Sequence, residues 1–319
     1  MEKARFKWVL RERNRKIAAK TEVFTEQQAR RVRSFHSSFK EYSPTPLIEL
    51  TSLAQHLGIK NLFVKDESYR FGLNAFKVLG GSFAIGSYIA NELGEDIDDL
   101  PYMRLVSDEV RSLLGSKTFI TTTDGNHGRG VAWTANRLKQ QAIVYMPQGS
   151  AAERLSNIRA EGAQAEITYM NYDDTVRYTS ELAQKNGWII VQDTAWDGYT
   201  RIPLWIMQGY MTMALEAYEQ LPVKPTHIFL QAGVGSLAGS VQGFFADIYG
   251  SSCPLTFIVE PKGADCLYQT AAANDGSLHS VTGRLETIMA GLACGEPNSI
   301  AWEILGNLSD GFISCPDYT

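Results

Sequence analysis

A lysine, an asparagine, two aspartates and a glycine run carry the chemistry legible in this chain. Lys77 lies in FGLNAFKVLGGS (Phe71–Ser82), among apolar and small residues, with Gly80 and Gly81 after it. Such surroundings strip solvation from an ammonium, lower its pKa and leave a nucleophilic amine, as a Schiff base with an aldehyde requires. The plain alternative is a surface lysine whose stem lies on apolar neighbours. In QAGVGSLAG (Gln231–Gly239), Gly233, Gly235 and Gly239 let main-chain N–H groups, with those of Val234 and Ser236, converge on an anion at a helix start, where the helix dipole adds attraction. An ordinary strand-to-helix turn is the competing reading.

Two further turns each place a carboxylate beside a strand end. TTTDGNHGRG (Thr121–Gly130) holds Asp124 and Asn126. Asn126 can donate to a phenolic oxygen, and the first helical turn has unpaired N–H groups for a carboxylate. Asp124 is either a substrate-facing acid or a helix cap. His127 is given no role. In VQDTAWDGY (Val191–Tyr199), Asp193 follows a strand directly, as a second carboxylate or a turn residue.

These turns need a scaffold, and the hydrophobic pattern supplies one. Asn61–Asp66 reads as a short strand into a Lys77 loop, with a helix over Phe83–Glu92. Leu93–Ser116 reads as a polar surface excursion. Strands over 117–122, 141–146, 163–169, 188–192, 226–230 and 256–259 alternate with helices over 127–139, 151–160, 173–186, 202–221 and 237–249. That alternation predicts right-handed βαβ crossovers and parallel sheet.

The chain has 319 residues, enough for two lobes, with 44% hydrophobic and 20% charged residues and a net charge of −5. No broad basic field suggests nucleic acid. No apolar run reaches membrane-spanning length, and Met1–Lys20 lacks a signal peptide's apolar core, so a cytoplasmic protein without membrane partners is expected. The four cysteines, Cys253, Cys266, Cys294 and Cys315, form no CxxC pair; free thiols are the default, with a Cys266–Cys294 bridge the alternative. No metal-ligand pattern is present. The spacing G-x-G-x-x-x-G departs from the dinucleotide fingerprint. Glu260 is the nearest substitute for its ribose-binding acid, so a nicotinamide oxidoreductase is disfavoured.

Taken together and in this order, the segments resemble the fold-type-II pyridoxal-phosphate enzymes, the group of threonine dehydratase, cysteine synthase and the tryptophan synthase β chain. More narrowly, the chain resembles the diaminopropionate ammonia-lyases of that group. The resemblance runs from about Tyr42 to the last residue. It rests on PTPL (Pro44–Leu47), the Lys65–Lys77 run, TTTDGNHGRGVAW (Thr121–Trp133), YMPQGSAAER (Tyr145–Arg154), MNYDDTVR (Met170–Arg177), VQDTAWDGYTRIP (Val191–Pro203), QAGVGSLAG, VEPKGADC (Val259–Cys266) and TIMAGLACGEPN (Thr287–Asn298). General dehydratases carry a serine where this chain has Asp124.

The resemblance implies a two-lobed α/β fold: residues 1–80 and 201–319 as the large domain, 81–200 as a small inserted domain. It implies pyridoxal 5'-phosphate as cofactor, an amino-acid substrate and a homodimer. It implies that Lys77 joins the cofactor and moves the α-proton, and that Asn126 bonds the phenolic oxygen. The main chain of Gly233, Val234, Gly235 and Ser236 would bind the phosphate, and Asp124 and Asp193 would surround the substrate. The implied reaction is α,β-elimination of 2,3-diaminopropionate to pyruvate and ammonia. A neutral amine leaves poorly, so a carboxylate that attracts the β-ammonium and shares its proton suits this reaction better than a serine. A carboxylate opposite Lys77 would also admit either stereoisomer. Relatives continue past residue 319 and there carry the pyridine-nitrogen partner, so a truncated large domain with exposed sheet edge and reduced activity is expected. A serine or threonine dehydratase or racemase of the same fold, or a non-catalytic remnant, are the alternatives.

Overall fold

The computed structural model describes residues 6–13, 21–123 and 125–318. Strand β1 (Lys7–Leu10) precedes helix α1 (Glu26–Ser37), which Thr25 caps by accepting the N–H of Gln28. Next come β2 (Leu47–Glu49), α2 (Thr51–Leu57) and β3 (Phe63–Lys65), with β2 and β3 antiparallel. Helix α3 (Lys77–Leu93) and the short helices α4 (Tyr102–Leu105) and α5 (Asp108–Leu114) follow. A strict alternation begins at β4 (Thr118–Thr122), with α6 (Asn126–Arg137), β5 (Gln141–Met146), α7 (Ala152–Ala160), β6 (Gln164–Ile167), α8 (Tyr172–Asn186) and β7 (Ile189–Ile190). Then come α9 (Arg201–Gln220), β8 (His227–Gln231), α10 (Ser236–Tyr249), β9 (Leu255–Pro261), α11 (Cys266–Ala273), α12 (Ser299–Leu308) and β10 (Gly311–Cys315).

Beside the two-stranded β2-β3 sheet, the other eight strands form two four-stranded sheets. One is wholly parallel in the order β6-β5-β4-β7; the other runs β1-β10-β9-β8, parallel except that β1 joins β10 antiparallel. The sequence pattern locates the parallel strands to within a few residues. It does not reveal β1, α1 or β10; the N-terminal stretch reads as charged. No helix is long and apolar enough to cross a membrane among the described residues.

Two expectations are corrected. Leu93–Ser116 is not a polar surface excursion: Ile97, Leu100, Leu105, Val110 and Leu114 are buried in the core beneath its short helices. Lys77 does not sit in a loop before a helix that begins after the glycines. It is the first residue of α3, and Gly80 and Gly81 lie inside that helix. Mid-helix glycine costs about 1 kcal/mol against alanine, and close packing explains its use. A Cβ on Gly80 would meet Ile206 Cγ2 and Tyr210 Cε1 at 2.7 Å, and one on Gly130 of α6 would meet Val78 Cα at 2.9 Å. Helix α3 is thereby clamped between α9 and α6, its most extensive neighbours.

Candidate active site

The segment that delivers Lys77 is fixed by a buried charge network. The Arg70 side chain, fully buried, donates to both carboxylate oxygens of Glu216 on α9 at 2.9 and 2.7 Å and to Glu67 at 2.8 Å. Lys65 Nζ and Tyr42 Oη also donate to Glu216, at 2.8 and 2.9 Å. Burial opposes ionisation of Glu216, but the hydrogen bonds and charge of Arg70 and Lys65 outweigh it and hold its pKa below the ordinary value. Phe71 follows at φ +50°, an uncommon conformation for an aromatic residue, held by its packing on Phe39 and Trp133.

Lys77 then projects into a cleft where the carboxyl ends of β4, β7 and β8 converge. The cleft is lined by Phe76, Lys77, Thr122, Thr123, Asn126, Asp193 and the Gln231–Leu237 turn, among others. The structure thus brings together Lys77, Asn126, Asp193, Gly233, Val234, Gly235 and Ser236, which are scattered over 160 residues of sequence (from 77 to 236). Asp124 lies outside the described residues.

The ionisation expected of Lys77 is reversed here. Burial does lower the amine's pKa, but the nearby Asp193 carboxylate, with smaller help from Tyr210, more than offsets it and raises the pKa above the ordinary lysine value. Lys77 Nζ lies 2.5 Å from Asp193 Oδ2. Burial likewise opposes ionisation of Asp193, but the Lys77 charge prevails and takes its pKa down to about 2. The pair is an ammonium–carboxylate ion pair, so the nucleophilic amine appears only once Lys77 passes its proton on.

The main chain at Asp193 is held directly by Ser236 and indirectly through its neighbours. The Ser236 hydroxyl donates to its carbonyl at 2.6 Å, and Asn298, fully buried, donates to Ser236 Oγ at 2.8 Å while its own oxygen caps α12. Next to it, Gln192 accepts from Thr121 Oγ1 and the Thr122 N–H and donates to Tyr172 Oη at 2.8 Å. Tyr199 Oη receives the Gln192 N–H at 2.8 Å. The Ser236 side chain is therefore committed to Asp193, and only its main chain is available to an anion. His127 Nε2 sits 2.7 Å from the Val191 carbonyl oxygen, a tie between α6 and the end of β7.

The glycine run divides by role. Gly235 adopts φ +99°, which glycine alone takes without strain, and opens α10 without a side-chain cap. A Cβ on Gly233 would press on Leu292 and Cys294 of the facing segment at 3.4 and 3.5 Å. The N–H groups of Gly233, Val234, Gly235 and Ser236 make no hydrogen bond among the described residues. Gly239 does not belong to this cradle. Its N–H bonds to the Gly235 carbonyl inside α10, and its missing side chain admits Ala301 of α12, whose Cα would lie 3.0 Å from an added Cβ. The Glu260 carboxylate is also accounted for, accepting the N–H groups of Leu267 and Tyr268 at 2.9 and 2.7 Å at the start of α11. It is not directed at a ribose.

Unpaired amides at the start of a 14-residue helix, a lysine amine across the cleft and an asparagine on the facing turn fit an aldehyde cofactor with an anionic arm. The family model described as "Pyridoxal-phosphate dependent enzyme" matches residues 39–319. The chain belongs to the pyridoxal-phosphate-dependent enzyme family. Among curated members, it is 53% identical over 290 residues to the diaminopropionate ammonia-lyase of Salmonella typhimurium, covering 90% of this chain and 72% of that protein. The Escherichia coli K12 diaminopropionate ammonia-lyase is 52% identical over 299 residues, covering 92% and 73%. A crystal structure of the holo Escherichia coli ammonia-lyase superposes with a TM-score of 0.89 at 49% identity, over 98% of this chain and 77% of that one. A maize serine racemase structure, at 22% identity and a TM-score of 0.72, shares the fold.

The residues that sequence reading missed all support the others. Tyr172, Gln192, Tyr199, Tyr210 and Asn298 gave no spacing signal, since each is fixed through contacts between distant segments. A polar residue next to a strand end, as at Gln192, was the one available clue.

Proposed function

We propose that this chain catalyses the pyridoxal-phosphate-dependent α,β-elimination of 2,3-diaminopropionate, giving pyruvate and ammonia. The observation that carries the reading is the cleft that joins Lys77, its partner Asp193, Asn126 and the amide cradle at Gly233–Ser236. The ammonia-lyase relatives, similar over 90% or more of the chain, support the choice of substrate. When bound, the cofactor's pyridine ring supplies the electron sink that makes an amino acid's α-proton acidic.

The protein's own residues supply the rest. The amides of Gly233, Val234, Gly235 and Ser236 hold the phosphate, and Asn126 donates to the phenolic oxygen. Lys77 would hold the cofactor's aldehyde carbon and would act as the base at the substrate α-carbon. Asp193 holds Lys77 while it is an ammonium and offers a negative charge to the substrate's amines. Asp124 is assigned the proton of the departing β-amine, a role its carboxylate suits and a hydroxyl does not. The division into a large lobe (1–80 and 201–319) and a small inserted lobe (81–200) belongs to this proposal; the two separate sheets support it. So do a homodimeric state and a cytoplasmic location, which the resemblance implies.

The test is stoichiometry. The diamine should yield two ammonia per pyruvate, against one from serine, and Lys77→Ala should abolish both. Faster turnover of serine or threonine than of diaminopropionate would move the assignment to the dehydratases.

A further inference from the structure

Tyr210 lies at the middle of α9, fully buried. Its ring is pushed against the first turn of α3 by two facing glycines. A Cβ on Gly209 would strike backbone, Gly80 Cα at 2.7 Å among it, while one on Gly80 would meet Tyr210 Cε1 and Cζ at 2.7 and 2.8 Å. Cζ bears the hydroxyl, so it is the polar end of the ring that rests on α3, one turn after Lys77. Phe76 packs edge-on against the same ring at 5.1 Å. Lys77 Nζ stands 5.7 Å from the Phe76 centroid and 6.0 Å from that of Tyr210.

The hydroxyl has no partner in good hydrogen-bond geometry among the described residues, although the Lys77 amine lies close enough to interact with it. A buried hydroxyl without a partner is unfavourable, and a phenylalanine would fill the same space without that cost. Such a group is expected where its partner is present for only part of a working cycle. Among the described residues, the polar groups that act on it are the Lys77 amine and the Asp193 carboxylate to which that amine is now drawn.

We propose that Tyr210 is a positioning residue for Lys77: its hydroxyl receives the lysine nitrogen whenever that nitrogen leaves Asp193, and so keeps the amine aimed into the cleft. The hydroxyl oxygen accepts an N–H from the amine or ammonium; its own proton can donate to the lone pair of a neutral amine. Asp193 and Tyr210 then form two stations for one nitrogen. Asp193 favours the charged form, and Tyr210 accommodates the neutral form that attacks a carbonyl carbon.

This rests on the reading of Lys77 as the cofactor lysine, and the experiment separates the two. Cofactor-free parent and Tyr210→Phe are mixed with pyridoxal phosphate, and the visible absorbance of the lysine-linked cofactor is followed in time. Thermal melting and cofactor affinity are measured in parallel in the Lys77→Ala background. Tyr210→Phe should form the linkage about fivefold more slowly, the effect of losing one hydrogen bond to a neutral amine. It should melt no lower than the parent, and Lys77→Ala and Lys77→Ala/Tyr210→Phe should bind the cofactor with equal affinity. Linkage at the parental rate would overturn the proposal. So would weaker cofactor binding in the double variant, which would place the hydroxyl's role in the pocket rather than on the amine, or a clear fall in melting temperature, which would make it structural. A parent that forms no lysine-linked absorbance would instead remove the reading of Lys77 itself.

Discussion

At the scale of single residues, the decisive feature is that the amine and its acid hold each other ionised. The Asp193 pKa lies near 2, below the ordinary 3.8, and that of Lys77 is raised above 10.5. A depressed acid contributes stability above its unfolded pKa and loses it as pH falls through the folded one; a raised base contributes below its unfolded pKa and loses it at high pH. In the cofactor-free protein, the stability gap between parent and Asp193→Asn should therefore be constant across neutral pH and close as pH falls from about 4 towards 2. Denaturant titrations at several pH values measure it, and a gap that persists undiminished at pH 2 would contradict the ion pair. Gly235 offers a second expectation. At φ +99° an alanine there is strained by about 1–3 kcal/mol. Gly235→Ala should lower the melting temperature and, by shifting the cradle amides, also weaken cofactor binding, read by a thermal scan beside fluorescence titration.

Among elements, the clamp on α3 and the charge network before it decide where Lys77 points. Glu216 on α9 collects Arg70, Lys65, Tyr42 and the Thr45 N–H, tying the approach to Lys77 onto the helix that carries Tyr210. Removing one member of a buried ion pair strands the other, at roughly 3–5 kcal/mol. Glu216→Ala should show that loss in chemical denaturation, and Arg70→Met with Glu216→Met together should lose less than the sum of the two. Gly209→Ala tests the clamp. Its new Cβ would collide with the Leu79 carbonyl, part of the backbone of α3. Overpacking of this kind costs about 1–3 kcal/mol, and the displaced α3 should also slow attachment of the cofactor to Lys77.

Over the whole molecule, the mixed sheet presents one face to solvent. The register aligns Leu10, Gly311, Phe257 and Phe229 in one row and Trp8, Ile313, Val259 and Gln231 in the next. Trp8, Leu10 and Phe229 are each more than 60% exposed. The opposite face, with Leu230, Ile258 and Phe312, is buried in the core. Strands of parallel sheets are ordinarily covered on both sides, and exposed apolar patches of this kind lower solubility. Trp8→Lys with Phe229→Lys should raise the solubility limit and reduce light scattering while leaving the melting temperature nearly unchanged. The chain spans 72–73% of the length of the curated ammonia-lyases it resembles.

What the sequence determined alone is what depends on neighbours in the chain. Strand and helix periods, the glycine run at Gly233–Ser236, the asparagine turn and the aspartate after a strand are local patterns, and Gly233–Ser236, Asn126 and Asp193 are found at the cleft. What only the tertiary structure decided depends on partners far along the chain. The sequence showed Lys77 among apolar residues and implied a neutral amine; the fold brought Asp193 to 2.5 Å and made it an ammonium. Gly239 matched the phosphate run by spacing, yet α12 claims it for packing. Charge state and close packing are set by what the chain folds against, and no window of sequence contains that neighbour.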